Sequence, residues 1–129
     1  MQYVYPVILQ SDDEKISASA PDLKGCHTFG ETTADALIMI KDAIEGWLCH
    51  AEDNNWQIPI SSKTLQTNAT ETMTLIVADT DEYRKANDTK AVKKTLSIPS
   101  WLNHQAEKAN APFSQILQEG LKNYLKIAQ

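Results

Sequence analysis

The apolar positions of the chain change period along its length. Tyr3–Leu9 is rich in aromatic and β-branched residues and reads as a strand. Pro6 within it predicts an edge position or a local break, because proline brings no N–H to a ladder. After the polar turn Ser11–Lys15, Ile16, Ala18 and Ala20 alternate with polar residues, which predicts the hairpin partner Ile16–Ala20. Pro21 to Gly30 holds a proline and two glycines and reads as turns around a short third strand, Cys26–Thr28. The period then becomes helical. Leu37, Ile40, Ile44, Trp47, Leu48 and Ala51 recur at spacings of three and four, predicting a helix from about Ala34 to Glu52 with its apolar stripe on the sheet. Thr32 or Thr33 can cap it, and Asp35 suits its first turn. Ile58–Ser62 reads as extended, Lys63–Thr72 as a polar loop and Met73–Ala78 as a last strand. Asp79–Ala91 is charged and lacks an apolar stripe, so it reads as a connector with room for some helix.

The last stretch is built on a different plan. Val92, Lys94, Leu96 and Ile98 share one strand face, and Lys93, Thr95 and Ser97 share the other. Pro99 ends this strand and Ser100 can cap the next element. Two helices are expected there, Ser100–Lys108 and Phe113–Ala128, separated by Asn110-Ala111-Pro112. A strand succeeded at once by helices has no local partner, and its unpaired backbone invites another chain. A second copy across a two-fold axis is the economical solution. The resulting ribbon would place an apolar face on a helical core and show Lys93, Thr95 and Ser97 to the major groove of DNA, which admits such a ribbon. The whole chain is thus an α+β protein: residues 1–80 as β-β-(β)-α-β, 81–91 as a linker, and 92–129 as a DNA-binding and dimerisation unit.

Charge sharpens this division. The net charge of −5 over 129 residues is uneven. Residues 1–80 hold four lysines against twelve carboxylates, a net of −8, whereas residues 81–129 carry +3. An acidic body and a basic tail suit two partners of opposite charge, nucleic acid for the tail and a basic protein for the body. No run approaches the ~20 apolar residues of a membrane span, and the start lacks the basic region and cleavage site of a signal peptide. Cys26 and Cys49 lack metal or pairing spacing and read as free thiols, so a cytoplasmic location is expected.

Candidate chemistry is sparse. Cys26 and His27 are adjacent, and neighbours on an extended segment point apart. Asp12, Asp13, Glu14 and Asp22 could bind a divalent ion, but a charge run in a hairpin turn is usually just solvated. His50 and His104 lack ligand partners four residues away on their helices, and neither a phosphate loop nor a hydrolase elbow occurs. A binding protein with no catalytic role, cofactor or metal is the reading that fits best. The competing readings are a small nuclease using Asp12, Asp13, Asp22 and Asp35, and a repressor whose first unit senses a small molecule.

Two resemblances cover most of the chain. The strand KTLSIP, the helix end Ala106–Asn110 and the helix FSQILQEGLKNYL resemble the ribbon-helix-helix DNA-binding dimers, over about the last 40 residues. That resemblance implies phosphate contacts from backbone N–H groups near Phe113 and Ser114. Pro112 stands where that family usually has a small capping residue. Pro21, Asp22, Leu23, Gly25, Cys26, Gly30, Glu31 and Trp47-Leu48, with the N-terminal hairpin, resemble the HicB-type antitoxins over about residues 1–62. This second resemblance implies a partial RNase H-like fold and a small, basic, mRNA-cleaving HicA-type toxin as partner. It also implies operator DNA as a second partner, bound by a homodimer that can assemble further with toxin. Asp22, Leu23, Cys26, His27 and Phe29, on a loop beside acidic surface, are the candidate toxin contacts.

Overall fold

A computed structural model describes residues 1–127. The elements are β1 (Gln2–Asp12), β2 (Lys15–Ser19), β3 (His27–Gly30), α1 (Thr33–Asp53), β4 (Glu71–Asp79), α2 (Thr80–Ala86), α3 (Ser100–Lys108) and α4 (Phe113–Leu125). They fall into two compact units, residues 1–90 and 91–129.

In the first unit the strands form one antiparallel sheet in the order β3-β2-β1-β4. Tyr5, Val7 and Leu9 alternate onto the face covered by α1, where Ile40, Ile44 and Leu48 of that helix are fully buried. The other face carries the cross-strand pairs Val4–Val77, Pro6–Leu75 and Ile8–Met73.

Pro6 corrects the sequence reading. It lies mid-strand in β1, which is interior to the sheet rather than at its edge. The reason is the phase of the ladder. Thr80 N–H bonds the Met1 carbonyl at 3.1 Å, so odd-numbered β1 residues bond β4 and even-numbered ones face β2. The proline nitrogen therefore points to the β2 side, beyond the last β1–β2 pair, Ile8–Ser19, where no donor is needed.

The junction between β3 and α1 is tight. A Cβ on Gly30 would lie 2.5 Å from the backbone nitrogen of Ala36, so only glycine fits. Thr32 caps α1 by accepting from Asp35 N–H at 3.0 Å, and the Asp35 carboxylate accepts from Glu31 N–H at 3.1 Å. β3 spans His27–Gly30 rather than Cys26–Thr28, and β4 begins at Glu71, inside the stretch read as a loop. Thr80–Ala86, inside the expected connector, is helical and packs on α1. Asp79 caps it through Asp81 and Glu82 N–H, and the Tyr83 hydroxyl lies against Gly46.

In the second unit α3 has its expected bounds, and α4 ends where Lys126 turns left-handed at φ 59°. The expected end at Ala128 lies outside the described residues. Ser100 is the first residue of α3 and not its cap; Pro99 takes that place, with no side-chain bond to the helix. Val92–Ile98 is not a strand in the single chain, because no ladder partner is there to define one. Among the described residues of this unit none is buried, and twelve large apolar side chains stay exposed.

Candidate functional site

The loop after β2 folds back on itself. Ala20 N–H bonds Cys26 O at 2.9 Å, Leu23 N–H bonds Ala20 O at 3.0 Å, and Gly25 takes a φ of 77°. This winding drives Leu23 and Cys26 into the core beneath α1, so neither is displayed to a partner. Their apolar bodies fill the space between helix and sheet, which corrects their reading as surface contacts. Burial also pushes the Cys26 thiol above its ordinary pKa, away from the thiolate. Asp22 is engaged inside the chain: its carboxylate accepts from Ser62 N–H at 2.8 Å and Ser62 hydroxyl at 2.6 Å, clamping the segment after α1. His27 and Phe29 are exposed. Lys15 Nζ sits 4.5 Å from the centre of the Phe29 ring, beside Asp12, Asp13 and Glu14.

Asp12, Asp13, Asp22 and Asp35 do not converge. Asp12 and Asp13 lie at the β1–β2 turn, Asp22 is held by Ser62, and Asp35 belongs to the α1 cap. Among the described residues no three His, Cys, Asp or Glu side chains gather as a metal set.

One charged cluster was not expected from the sequence. Glu52, near the end of α1, accepts from the Tyr3 hydroxyl at 2.7 Å, Thr80 Oγ1 at 3.2 Å and Arg84 at 2.9 Å. Arg84 also reaches Asp53 at 2.9 Å and the Cys49 carbonyl at 3.3 Å. Burial opposes ionisation of Glu52, but the bonds from Tyr3, Arg84 and Thr80 outweigh it and hold the carboxyl below its ordinary pKa. Burial first, and then the bond to Glu52, push the Tyr3 hydroxyl up to about 12. The cluster ties β1, α1 and α2 together. Glu45 is buried on the same helix, accepting from Lys41 at 3.1 Å and from Asp79 N–H at 2.7 Å. The spacing of Glu45 and Glu52, two helical turns, was the available signal; their partners lie too far along the chain to be read from it.

The second unit is the basic one, at +3 against −8 for residues 1–90. Lys93, Thr95 and Ser97 are all exposed, as are Phe113 and Ser114 in the first turn of α4. That turn has no side-chain cap, so its N–H groups are unclaimed by side chains. Leu96 and Ile98 share a cleft with Phe113, Ile116 and Leu117, which therefore takes the apolar face of the expected strand.

Comparison with known proteins agrees with this geometry. A family model described as a HicB-like antitoxin of bacterial toxin–antitoxin systems matches residues 5–119. A chain of a toxin–antitoxin complex from Streptococcus pneumoniae superposes with a TM-score of 0.57 at 20% identity, covering 96% of this chain and 99% of that one. The antitoxin HicB of Burkholderia pseudomallei gives 0.52 at 21% identity, covering 95% and 96%. An uncharacterised 14.9 kDa protein of Haemophilus phage HP1 is 26% identical over 105 residues, 81% of this chain and 79% of its own length.

Proposed function

Because the chain belongs to the HicB-like antitoxin family of bacterial toxin–antitoxin systems, we propose that it binds and neutralises a small, basic, mRNA-cleaving HicA-type toxin and, as a homodimer, represses its own operon. In this reading the first unit is a partial RNase H-like fold that meets the toxin, with His27 and Phe29 as the exposed members of its loop. The second unit is one half of a ribbon-helix-helix domain. The observation that carries the reading is the contrast between the units. The acidic one closes its own core, whereas the basic one buries none of its described residues and leaves an unpaired segment beside two amphipathic helices. A unit of about 40 residues without a core is completed by association. Pairing Val92–Ile98 with its copy sets Lys93, Thr95 and Ser97 outward toward bases, and the α4 N-terminus toward phosphate.

Two assays test this. Purified toxin should stop cleaving RNA when the chain is added in equimolar amount; continued cleavage would remove the antitoxin reading. DNA from upstream of the chain's own gene should be retarded by the protein, and Lys93→Ala should weaken that binding by roughly 1–3 kcal/mol if it reads a base. Unchanged affinity with an unchanged salt slope would remove Lys93 from the DNA interface.

A further inference from the structure

The outer edge of β4 is open in a defined register. With the phase set by the Thr80–Met1 bond, the odd-numbered β4 residues turn their N–H and C=O groups away from β1. Two of these positions have their N–H groups taken at the ends of the strand: Glu71 N–H bonds Asn68 O at 3.2 Å, and Asp79 N–H bonds the Glu45 carboxylate at 2.7 Å. Between them Met73, Leu75 and Val77 have no backbone partner on that side among the described residues. Their side chains lie on the sheet face that α1 does not cover, opposite Ile8, Pro6 and Val4 in turn; Met73 Sδ accepts from Leu65 N–H at 3.2 Å, while Leu75 is 49% and Val77 53% exposed. The stretch Thr72–Ala78 carries no charge and no proline, the usual guards of an exposed edge. At the other edge β3 is only four residues long, with Lys15 folded over its Phe29.

We infer that this edge takes an extended segment of a basic protein as a fifth strand, and, resting on the antitoxin reading, that the segment belongs to the toxin. The segment's alternate apolar side chains cover Leu75 and Val77. Its cationic residues suit the net charge of −8 on this unit and fall opposite Glu71 at one end of the window; at the other end Asp79 and Asp81 already hold the Met1 amine. Charge decides against a second copy of this chain. An antiparallel copy centred on Leu75 would set Glu71 directly across from its partner's Asp79, a destabilising like-charge pair, between two units of −8. A strand added this way draws affinity from main-chain bonds and specificity from alternate side-chain positions.

The test is hydrogen exchange on the full chain, alone and bound to the toxin that it inhibits in the RNA-cleavage assay, with binding measured for three variants. Slower exchange at the amides of Met73, Leu75 and Val77 on complex formation is expected. Val77→Lys, a half-exposed position, should weaken toxin binding roughly tenfold or more, because an apolar side chain of the segment would then cover an unpaired ammonium. Ser17→Lys, on a strand that does not border this edge, should weaken it less. Leu75→Pro removes one outward donor without taking a β1–β4 bond, and should also weaken binding while the circular dichroism stays native. A complex that forms with those three amides exchanging as before overturns the inference and leaves the antitoxin reading standing. Protection already present in the free chain and rising with its concentration overturns it in favour of self-pairing. A wild-type chain that binds no toxin removes both.

Discussion

Leu121 offers a quantitative test of the second unit. It lies on the apolar stripe of α4, shares a cleft with Val92 and Lys93, and is 53% exposed in the single chain. Full burial of a leucine side chain is worth about 1.5–3 kcal/mol, so covering the remaining half in a dimer contributes about 1–1.5 kcal/mol per copy. Leu121→Ala forfeits most of that and adds a cavity cost. The change occurs twice per dimer, which gives about 2–4 kcal/mol, or roughly a 30- to 1,000-fold weaker dissociation constant. Sedimentation velocity over a dilution series reads this directly, with circular dichroism confirming that the sheet unit is intact. A dissociation constant unchanged within about threefold, where about 1.4 kcal/mol is a factor of ten, would place Leu121 outside any dimer core and refute the reasoning.

The first unit yields further expected outcomes. Gly30→Ala should destabilise it by about 1–3 kcal/mol, because the added Cβ meets helix backbone rather than a movable side chain; a urea midpoint unchanged from wild type would show that the β3–α1 junction yields. Glu52→Gln should cost about 1–2 kcal/mol by weakening the bonds from Arg84 and Tyr3. The Glu52 carboxyl is held below its ordinary pKa, so its contribution is present above its unfolded-state value and is lost as pH falls through the folded one. Wild type should therefore lose more stability on acidification than Glu52→Gln does; parallel pH profiles would count against the cluster.

Much of the architecture could be read from periodicity. The α1 stripe was visible because Ile40, Ile44 and Leu48 meet one sheet face and nothing else competes for them. The expected Met73–Ala78 misses Glu71, Thr72 and Asp79 of β4, which are polar and extend the strand at its ends without an apolar signal. Pro6 misled because its tolerance depends on where β2 stops, a tertiary fact. Leu23 and Cys26 were correctly placed on a loop but not in the core, since the Ala20–Cys26 bond that winds them inward joins backbone groups and leaves no mark on side-chain pattern. Arg84 reaches Cys49 and Glu52 from more than thirty positions away, so the sequence carries only the two-turn spacing of Glu45 and Glu52 and not their partners. Both ends of α3 and the start of α4 are legible because proline and a left-handed asparagine punctuate them, whereas α4 stops at Leu125, short of the expected end, because Lys126 turns left-handed with no proline or glycine to announce it.

Pairing of Val92–Ile98 with its own copy is the central claim. Thr95 is the middle residue of that segment, so in a two-fold antiparallel ribbon centred there it faces itself at a Cα separation of about 4.5–5.5 Å, within disulfide reach. Thr95→Cys, oxidised at low protein concentration and read by intact mass under non-reducing conditions, should yield a covalent dimer linked through residue 95. A thiol that stays monomeric while the rest of the chain remains folded would contradict it.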